Sequence, residues 1–122
     1  MEIIKQLANV RKFTSQSTVA IGNFDGVHLG HKKIIQEARN LAGTNKIGII
    51  TFEPHPRDYF LKNTRPFKLT QVESKYNRLK ELGVDFTVEL KFNNLLENYS
   101  PEQFVEIILY QKLGIKNIMA VS

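Results

Sequence analysis

Short apolar runs alternate along the chain with stretches of helical periodicity. Residues 19–24 and 46–52 are apolar runs bounded by polar or turn residues, a pattern typical of buried strands. Residues 85–90 alternate apolar and polar side chains, and residues 115–121 form a further apolar run, which predicts a third and a fourth strand. We expect the four strands to form one sheet.

Three helices are predicted between these strands. The first covers residues 31–42, the second begins at a Thr70–Glu73 capping box, and the third begins at Ser100, with Pro101 and Gln103 completing its start. A glycine ends each helix: Gly43, Gly83 and Gly114. The apolar stripes predicted to face the sheet are Ile34, Ile35, Ala38, Leu41 and Ala42; Val72, Tyr76, Leu79 and Leu82; and Phe104, Val105, Ile108 and Leu109.

The resulting order of strand, helix, strand, helix, strand, helix and strand predicts an α/β fold. Its sheet should be parallel, with right-handed crossovers and helices on both faces. Ligands of such sheets bind beyond the carboxyl ends of the strands. Candidate functional segments are therefore residues 22–31, 52–68 and 91–99, and whatever follows residue 121. Within the second of these, residues 53–68 contain three prolines and are predicted to form a loop.

Length and composition narrow the class of protein. A chain of 122 residues fits one domain, and its lack of cysteine excludes disulfides, thiolate metal sites and cysteine nucleophiles. No apolar stretch approaches the roughly 20 residues of a membrane-spanning helix. Charged residues near the N-terminus also break any signal-peptide core. We expect a cytoplasmic protein with no membrane partner.

Positive charge is concentrated in the middle of the chain. Residues 57–80 hold seven basic and two acidic side chains, a net +5 that equals the net charge of the whole chain. Such a segment attracts phosphates of nucleotides or nucleic acids, or it is simply a solvated basic surface. Charge alone does not choose between these interpretations.

Residues 22–31, Gly-Asn-Phe-Asp-Gly-Val-His-Leu-Gly-His, are the most informative stretch. Glycines permit a tight turn between strand and helix, and the amino end of the helix favours an anion. His28 and His31 fall where that helix begins, so both rings can face one phosphate. Capping or surface histidines, or a zinc pair completed by Asp25 or Glu53, are the alternatives. The P-loop and dinucleotide-binding glycine patterns are both absent.

This stretch resembles the bacterial FAD synthetase family, whose members are bifunctional riboflavin kinase/FMN adenylyltransferases. His28-Leu29-Gly30-His31 resembles the H-x-G-H signature of the nucleotidylyltransferase superfamily, and the whole phrase 22–31 resembles the adenylyltransferase module of this family. Further matches follow in order along the chain: Thr51-Phe52-Glu53-Pro54-His55-Pro56, Leu69-Thr70 with Lys75, Leu82-Gly83-Val84-Asp85 and Ser100-Pro101-Glu102-Gln103-Phe104.

The resemblance implies a Rossmann-like nucleotidylyltransferase fold and an FMN adenylyltransferase module over residues 1–122. The implied reaction transfers AMP from ATP to FMN, giving FAD and pyrophosphate. ATP and FMN are then the substrates, Mg²⁺ is expected, and a C-terminal riboflavin kinase domain is expected in a full-length protein. Nucleic acid is not an expected partner, because residues 81–122 are net negative and exposed aromatic platforms are lacking.

Site residues follow from the same resemblance and from the needs of phosphoryl transfer, which are positioning and charge stabilisation. His28 and His31 are the expected catalytic residues, lying on the rim of the fold and donating hydrogen bonds to ATP phosphates. The expected ATP-binding residues are Gly22, Asn23, Phe24, Asp25, His28, Gly30 and His31. The expected FMN-binding residues are Phe52, Glu53, Pro54, His55 and Pro56. No metal-binding residue is predicted.

One departure from the family bears on activity. Family members continue after the fourth strand with a Gly-x-Asp-Phe-x-Phe-Gly segment, whereas this sequence ends at Ser122. We therefore expect the 122-residue chain alone to be weakly active or inactive. A different H-x-G-H nucleotidylyltransferase and a non-catalytic nucleotide- or flavin-binding fragment remain the alternatives.

Overall fold

Five parallel strands form a single sheet in the order β1-β4-β3-β2-β5. The computed structural model describes residues 1–22, 24, 29–53, 67–91 and 97–120. The strands are β1 (Glu2–Ile4), β2 (Thr18–Ile21), β3 (Ile47–Glu53), β4 (Phe86–Lys91) and β5 (Asn117–Ala120). The parallel α/β fold predicted from the sequence is confirmed.

Helices connect these strands. They are α1 (Arg11–Thr14), α2 (Leu29–Ala42), α3 (Phe67–Glu81) and α4 (Pro101–Gln103), and α4 continues as a π-helix over Phe104–Lys112. No helix within the described ranges combines the length and apolar character needed to cross a membrane.

Two elements near the N-terminus were not predicted. β1 has three residues and α1 has four, so neither is long enough to display a clear hydrophobic period. β1 pairs in parallel with β4, with Glu2 opposite Phe86 and Ile4 opposite Val88. It occupies one edge of the sheet, and β5 occupies the other.

Side chains on the two faces of the sheet form two hydrophobic cores, which confirms helices on both faces. The first core, on the face covered by the π-helix, consists of Ile4, Val19, Ile50, Phe86, Val88, Leu90, Ile108, Leu109, Leu113 and Ile115. The second core, on the face covered by α2 and α3, consists of Ala20, Phe24, Ile35, Ala38, Ala42, Ile47, Ile49, Tyr76, Leu79 and Val84. Adjacent strand residues such as Ile49 and Ile50 alternate between the cores, as the pleat requires.

The last helix starts as predicted but winds differently. Ser100 Oγ accepts a hydrogen bond from Gln103 N (3.1 Å), and Gln103 Oε1 accepts one from Ser100 N (2.9 Å), which completes the capping box. Further along, Leu113 N donates to Ile108 O, five residues back. The wider turn carries Val105 away from the sheet, so its predicted place on the apolar face is wrong; Val105 is exposed.

Several predicted boundaries also differ. α2 begins at Leu29, two residues earlier than predicted. Leu41 is exposed, because the buried face of α2 is narrower than the predicted apolar stripe. α3 begins at Phe67, so Thr70 lies inside the helix and does not cap it. β2 ends at Ile21 and β5 begins at Asn117, both shorter than the apolar runs that predicted them. Val121, the end of the last predicted strand, lies outside the described residues.

Candidate functional site

The carboxyl ends of the parallel strands meet at one edge of the sheet. There, Gly22 follows β2 directly, and its backbone N donates to Ile50 O of β3 at 3.0 Å. β2 and β3 run side by side with Ile21 opposite Ile50. The glycine-containing stretch 22–31 therefore leaves the sheet beside the last residues of β3, where ligands of parallel sheets bind.

Phe24 anchors this stretch on the second core. Its side chain is buried, and its backbone adopts a left-handed conformation with φ of 55°. That conformation costs a non-glycine residue about 1–2 kcal/mol. Burial of the aromatic ring stabilises the fold by a similar amount, about 1.5–3 kcal/mol, and so offsets this cost.

His31 lies in the first turn of α2, against Phe24. The two ring centroids are 4.8 Å apart, with the planes tilted by 52°. The imidazole is only 7% exposed, so the expectation that it lies on an open rim is wrong. The sequence could not show this, because the contact depends on the left-handed backbone conformation of Phe24. The contact holds His31 in a fixed place at the amino end of α2, where backbone N–H groups and the helix dipole favour an anion.

Other predicted nucleotide-binding residues lie on the same stretch. Gly22 is half-buried at the end of β2, and Gly30 lies in the first turn of α2. Asn23, Asp25 and the second expected catalytic residue, His28, lie outside the described residues.

The predicted flavin-binding stretch begins at the end of β3. Phe52 is partly buried and packs at the border of the first core, with its ring centroid 6.1 Å from that of Phe104. This places its side chain on the opposite face of the sheet from His31. Glu53 is the last residue of β3. Pro54, His55 and Pro56 lie outside the described residues.

A polar group that sequence reasoning did not assemble lies near the same edge. Lys75 of α3 is buried, and its Nζ donates to Oγ1 of the fully buried Thr51 at 3.3 Å. The neighbouring Tyr76 hydroxyl donates a short hydrogen bond to Glu89 of β4. The Nζ of Lys5 lies 4.0 Å from Glu89 Oε1. Helical periodicity could have predicted the burial of Lys75, because Lys75 precedes Leu79 by four residues and therefore lies on the same buried side of α3.

Metal binding has little support within the described residues. No group of three or more His, Asp or Glu side chains in that part of the chain has the arrangement of a metal site. Among the groups considered for a zinc pair, Asp25 and His28 lie outside the described residues.

The sequence of this chain is similar to those of known proteins. The sequence model of the FAD synthetase family matches residues 10–120. A bifunctional riboflavin kinase/FMN adenylyltransferase of Buchnera aphidicola subsp. Schizaphis graminum is 36% identical over 121 residues, which are 98% of this chain and 39% of the relative. The protein of the same name from Bacillus subtilis is 35% identical over 100 residues, which are 80% of this chain and 32% of the relative. The chain thus spans about two fifths or less of the length of these relatives.

Comparison by structure supports the fold. A crystal structure described as a macrolide-efflux protein from Streptococcus pneumoniae has a TM-score of 0.77 and 24% sequence identity. The match covers 97% of this chain and 40% of that chain. At this identity the likeness establishes the architecture alone.

Proposed function

Because this chain belongs to the FAD synthetase family, we propose that it transfers AMP from ATP to FMN, giving FAD and pyrophosphate. The observation that carries the proposal is the 36% sequence identity to a relative named bifunctional riboflavin kinase/FMN adenylyltransferase, in an alignment that covers 98% of this chain. The positions of Gly22 and of the buried His31, at the carboxyl edge of the sheet, support it.

The proposed reaction is a single in-line displacement. A phosphate oxygen of FMN attacks the α-phosphorus of ATP, one P–O bond forms, and the bond from that phosphorus to the bridging oxygen breaks. Pyrophosphate leaves with the electron pair of the broken bond. No covalent intermediate on the protein is required, so the protein has to align the two phosphates and stabilise the charge on their oxygens.

His28 and His31 are the residues proposed to stabilise that charge. A ring held against Phe24, as His31 is, loses little conformational freedom when it donates to a phosphate oxygen. Gly22, Asn23, Phe24, Asp25 and Gly30 are proposed to contact ATP along the same stretch. Their glycines let a phosphate approach the backbone closely.

FMN is proposed to bind next to ATP, beyond the carboxyl end of β3. Phe52, Glu53, Pro54, His55 and Pro56 are the proposed flavin contacts. Mg²⁺ is proposed to enter with the phosphates of ATP, as is usual for this ion, and no step is assigned to it here. We further propose that residues 1–122 are an adenylyltransferase module, that a riboflavin kinase domain accompanies it in the full-length protein, and that the protein acts in the cytoplasm.

The test is to incubate the full-length protein proposed above, and separately the 122-residue chain, with ATP and FMN and to separate the products by chromatography. FAD and pyrophosphate should appear in equal amounts from the full-length protein, and in small amounts or not at all from the 122-residue chain. Replacing FMN by riboflavin, which lacks the attacking phosphate, should abolish both products. Binding of ATP and of FMN is measured in parallel by calorimetry, so that binding and turnover are judged separately. A chain that binds neither nucleotide, or that adenylylates a different phosphorylated acceptor in preference to FMN, would contradict the proposal.

A further inference from the structure

Lys75 is an unusual buried residue beside the second core. It is 6% exposed, whereas Arg78 and Lys80 of the same helix are exposed. A lysine usually places its ammonium group in water, even when its methylene stem is buried. The ammonium of Lys75 is instead directed inward from α3, toward the sheet.

The position of the ammonium relative to the strands is well defined. Its partner Thr51 is the third residue from the carboxyl end of β3. In the parallel register, Ile21 lies opposite Ile50, so the next residues along, Gly22 and Thr51, are also neighbours. The positive charge of Lys75 therefore lies one strand away from Gly22, the residue that directly follows β2 at this edge of the sheet.

The ammonium also lies on the same face of the sheet as His31. Thr51 and Ile49 project to the face that carries the second core, because side chains two apart in a strand share a face. Phe24 belongs to that core as well, and its ring packs against the imidazole of His31. One edge and one face of the sheet thus bring together an imidazole, an ammonium and the amino end of α2, all of which attract anions.

The surroundings of Lys75 fix the direction of its side chain. The ammonium lies 5.7 Å from the centroid of the Tyr76 ring, within reach of a cation–π interaction. The Tyr76 hydroxyl is held by Glu89, whose carboxylate also lies 4.0 Å from Lys5 Nζ. Tyr76 is thereby held in place beside the ammonium.

From these positions we propose that Lys75 is a further phosphate-binding residue of this site, whose ammonium donates a hydrogen bond to a phosphate oxygen of a bound substrate. The inference rests on the proposed function, because it takes its ligand from that reaction. An ammonium group has three N–H donors, so it can contact Thr51 and a phosphate together. Both ATP and FMN carry phosphate, and binding experiments can distinguish the two sources.

The experiment compares Lys75→Met, which keeps the length and removes the charge, with Lys75→Arg, which keeps the charge. Arg78→Met is the matched control, because Arg78 is exposed on the same helix and its removal also deletes one positive charge. Affinities for ATP, adenosine, FMN and riboflavin are measured by calorimetry on each folded variant. Thermal melting is recorded for all of them.

We expect Lys75→Met to weaken binding of ATP, of FMN or of both by about tenfold, the value of one charge-assisted hydrogen bond. Adenosine and riboflavin, which lack phosphate, should bind as they do to the unmodified chain. Lys75→Arg should recover part of the lost affinity, and Arg78→Met should change little. The melting temperature of Lys75→Met should be unchanged or higher, because a buried charge is replaced by an apolar side chain of similar volume.

A loss confined to ATP assigns the contact to the ATP phosphates, and a loss confined to FMN assigns it to the FMN phosphate. Unchanged affinity for both would overturn the role of Lys75 and leave the proposed function standing. Equal losses for phosphorylated and unphosphorylated ligands, with a lower melting temperature, would show a structural role instead. If Lys75→Met does not fold, Lys75→Gln takes its place, and failure of both to fold would also overturn the inference. An unmodified chain that binds neither ATP nor FMN would overturn the proposed function itself.

Discussion

The two faces of the sheet are packed by side chains of different chemistry. In the first core, strand residues such as Phe86 pack with Leu109 of the π-helix and with Leu113, which follows it. The second core is also apolar, but buried polar side chains lie beside it near the carboxyl ends of the strands, among them Thr51 and Lys75. Among the described residues, the buried side chains able to carry charge are His31 and Lys75, and both lie on this second face.

This difference separates stability from chemistry. A buried group that carries charge is costly to desolvate, so it adds less to stability than an apolar side chain of the same size. Among the described residues, no such group is buried on the first face, where apolar packing stabilises the sheet. On the second face, His31 and Lys75 carry this desolvation cost near the edge where ligands bind. Substitutions on the two faces should therefore change different measurements.

The largest expected effect is on the first core. Phe86 is fully buried there, and its ring lies edge-on to Phe13 at a centroid distance of 5.9 Å. Phe86→Ala should lower the free energy of unfolding by about 3–5 kcal/mol, measured by urea denaturation. The exposed Leu41→Ala serves as the control and should change it by less than about 0.5 kcal/mol. Similar losses from the two variants would remove the distinction between core and surface on which the comparison depends.

On the second face, His31→Ala should reduce the proposed transfer of AMP by about 10²- to 10³-fold, or about 2.7–4 kcal/mol, by analogy with loss of one aligned donor. Loss of the contact with Phe24 should also lower the melting temperature modestly. The control is Lys32→Ala, the exposed neighbour in α2, which should retain most of the activity. The rate of FAD formation by folded protein is the measurement; a normal rate for His31→Ala would remove this residue from the chemistry.

Gly48→Ala tests how tightly the first core is packed. A Cβ at position 48 would lie 2.2 Å from Cζ of Phe86, its partner on the neighbouring strand, and no L side chain tolerates that distance. The resulting displacement should cost about 1–3 kcal/mol of unfolding free energy. Combining Gly48→Ala with Phe86→Leu should give a loss smaller than the sum of the two single losses. Strict additivity would show that the two positions do not contact each other as described.

The smallest expected effect concerns the cap of the helix that covers the first core. Ser100→Ala removes the side-chain acceptor for Gln103 N and should destabilise the fold by about 1 kcal/mol. Ser100→Asp keeps an acceptor and should retain most of the stability. Chemical denaturation of the three proteins is sufficient to compare them. Equal losses for the alanine and aspartate variants would mean that the cap is not what stabilises this helix start.

Much of the fold and of the candidate site was determined by local sequence. The apolar runs in β2, β3 and β4, the capping box at Ser100 and the glycines after the helices each depend on residues a few positions apart. Such signals predicted the parallel α/β order. They also identified residues 22–31 as a candidate site, because the pattern of glycines and two histidines between a predicted strand and a predicted helix can be recognised from the sequence alone.

Tertiary structure decided which strands became neighbours and which polar side chains became buried. β1 is too short to be recognised alone and exists as a strand through its pairing with β4, more than 80 residues away. His31 is buried because Phe24 turns back onto it, and Lys75 because α3 packs that side against Thr51. Val105 is exposed because this helix is a π-helix, in which a backbone N–H donates to the carbonyl five residues earlier. Each of these outcomes depends on contacts between distant segments or on a choice of helical winding, and the period of apolar residues in a single segment does not determine either of them.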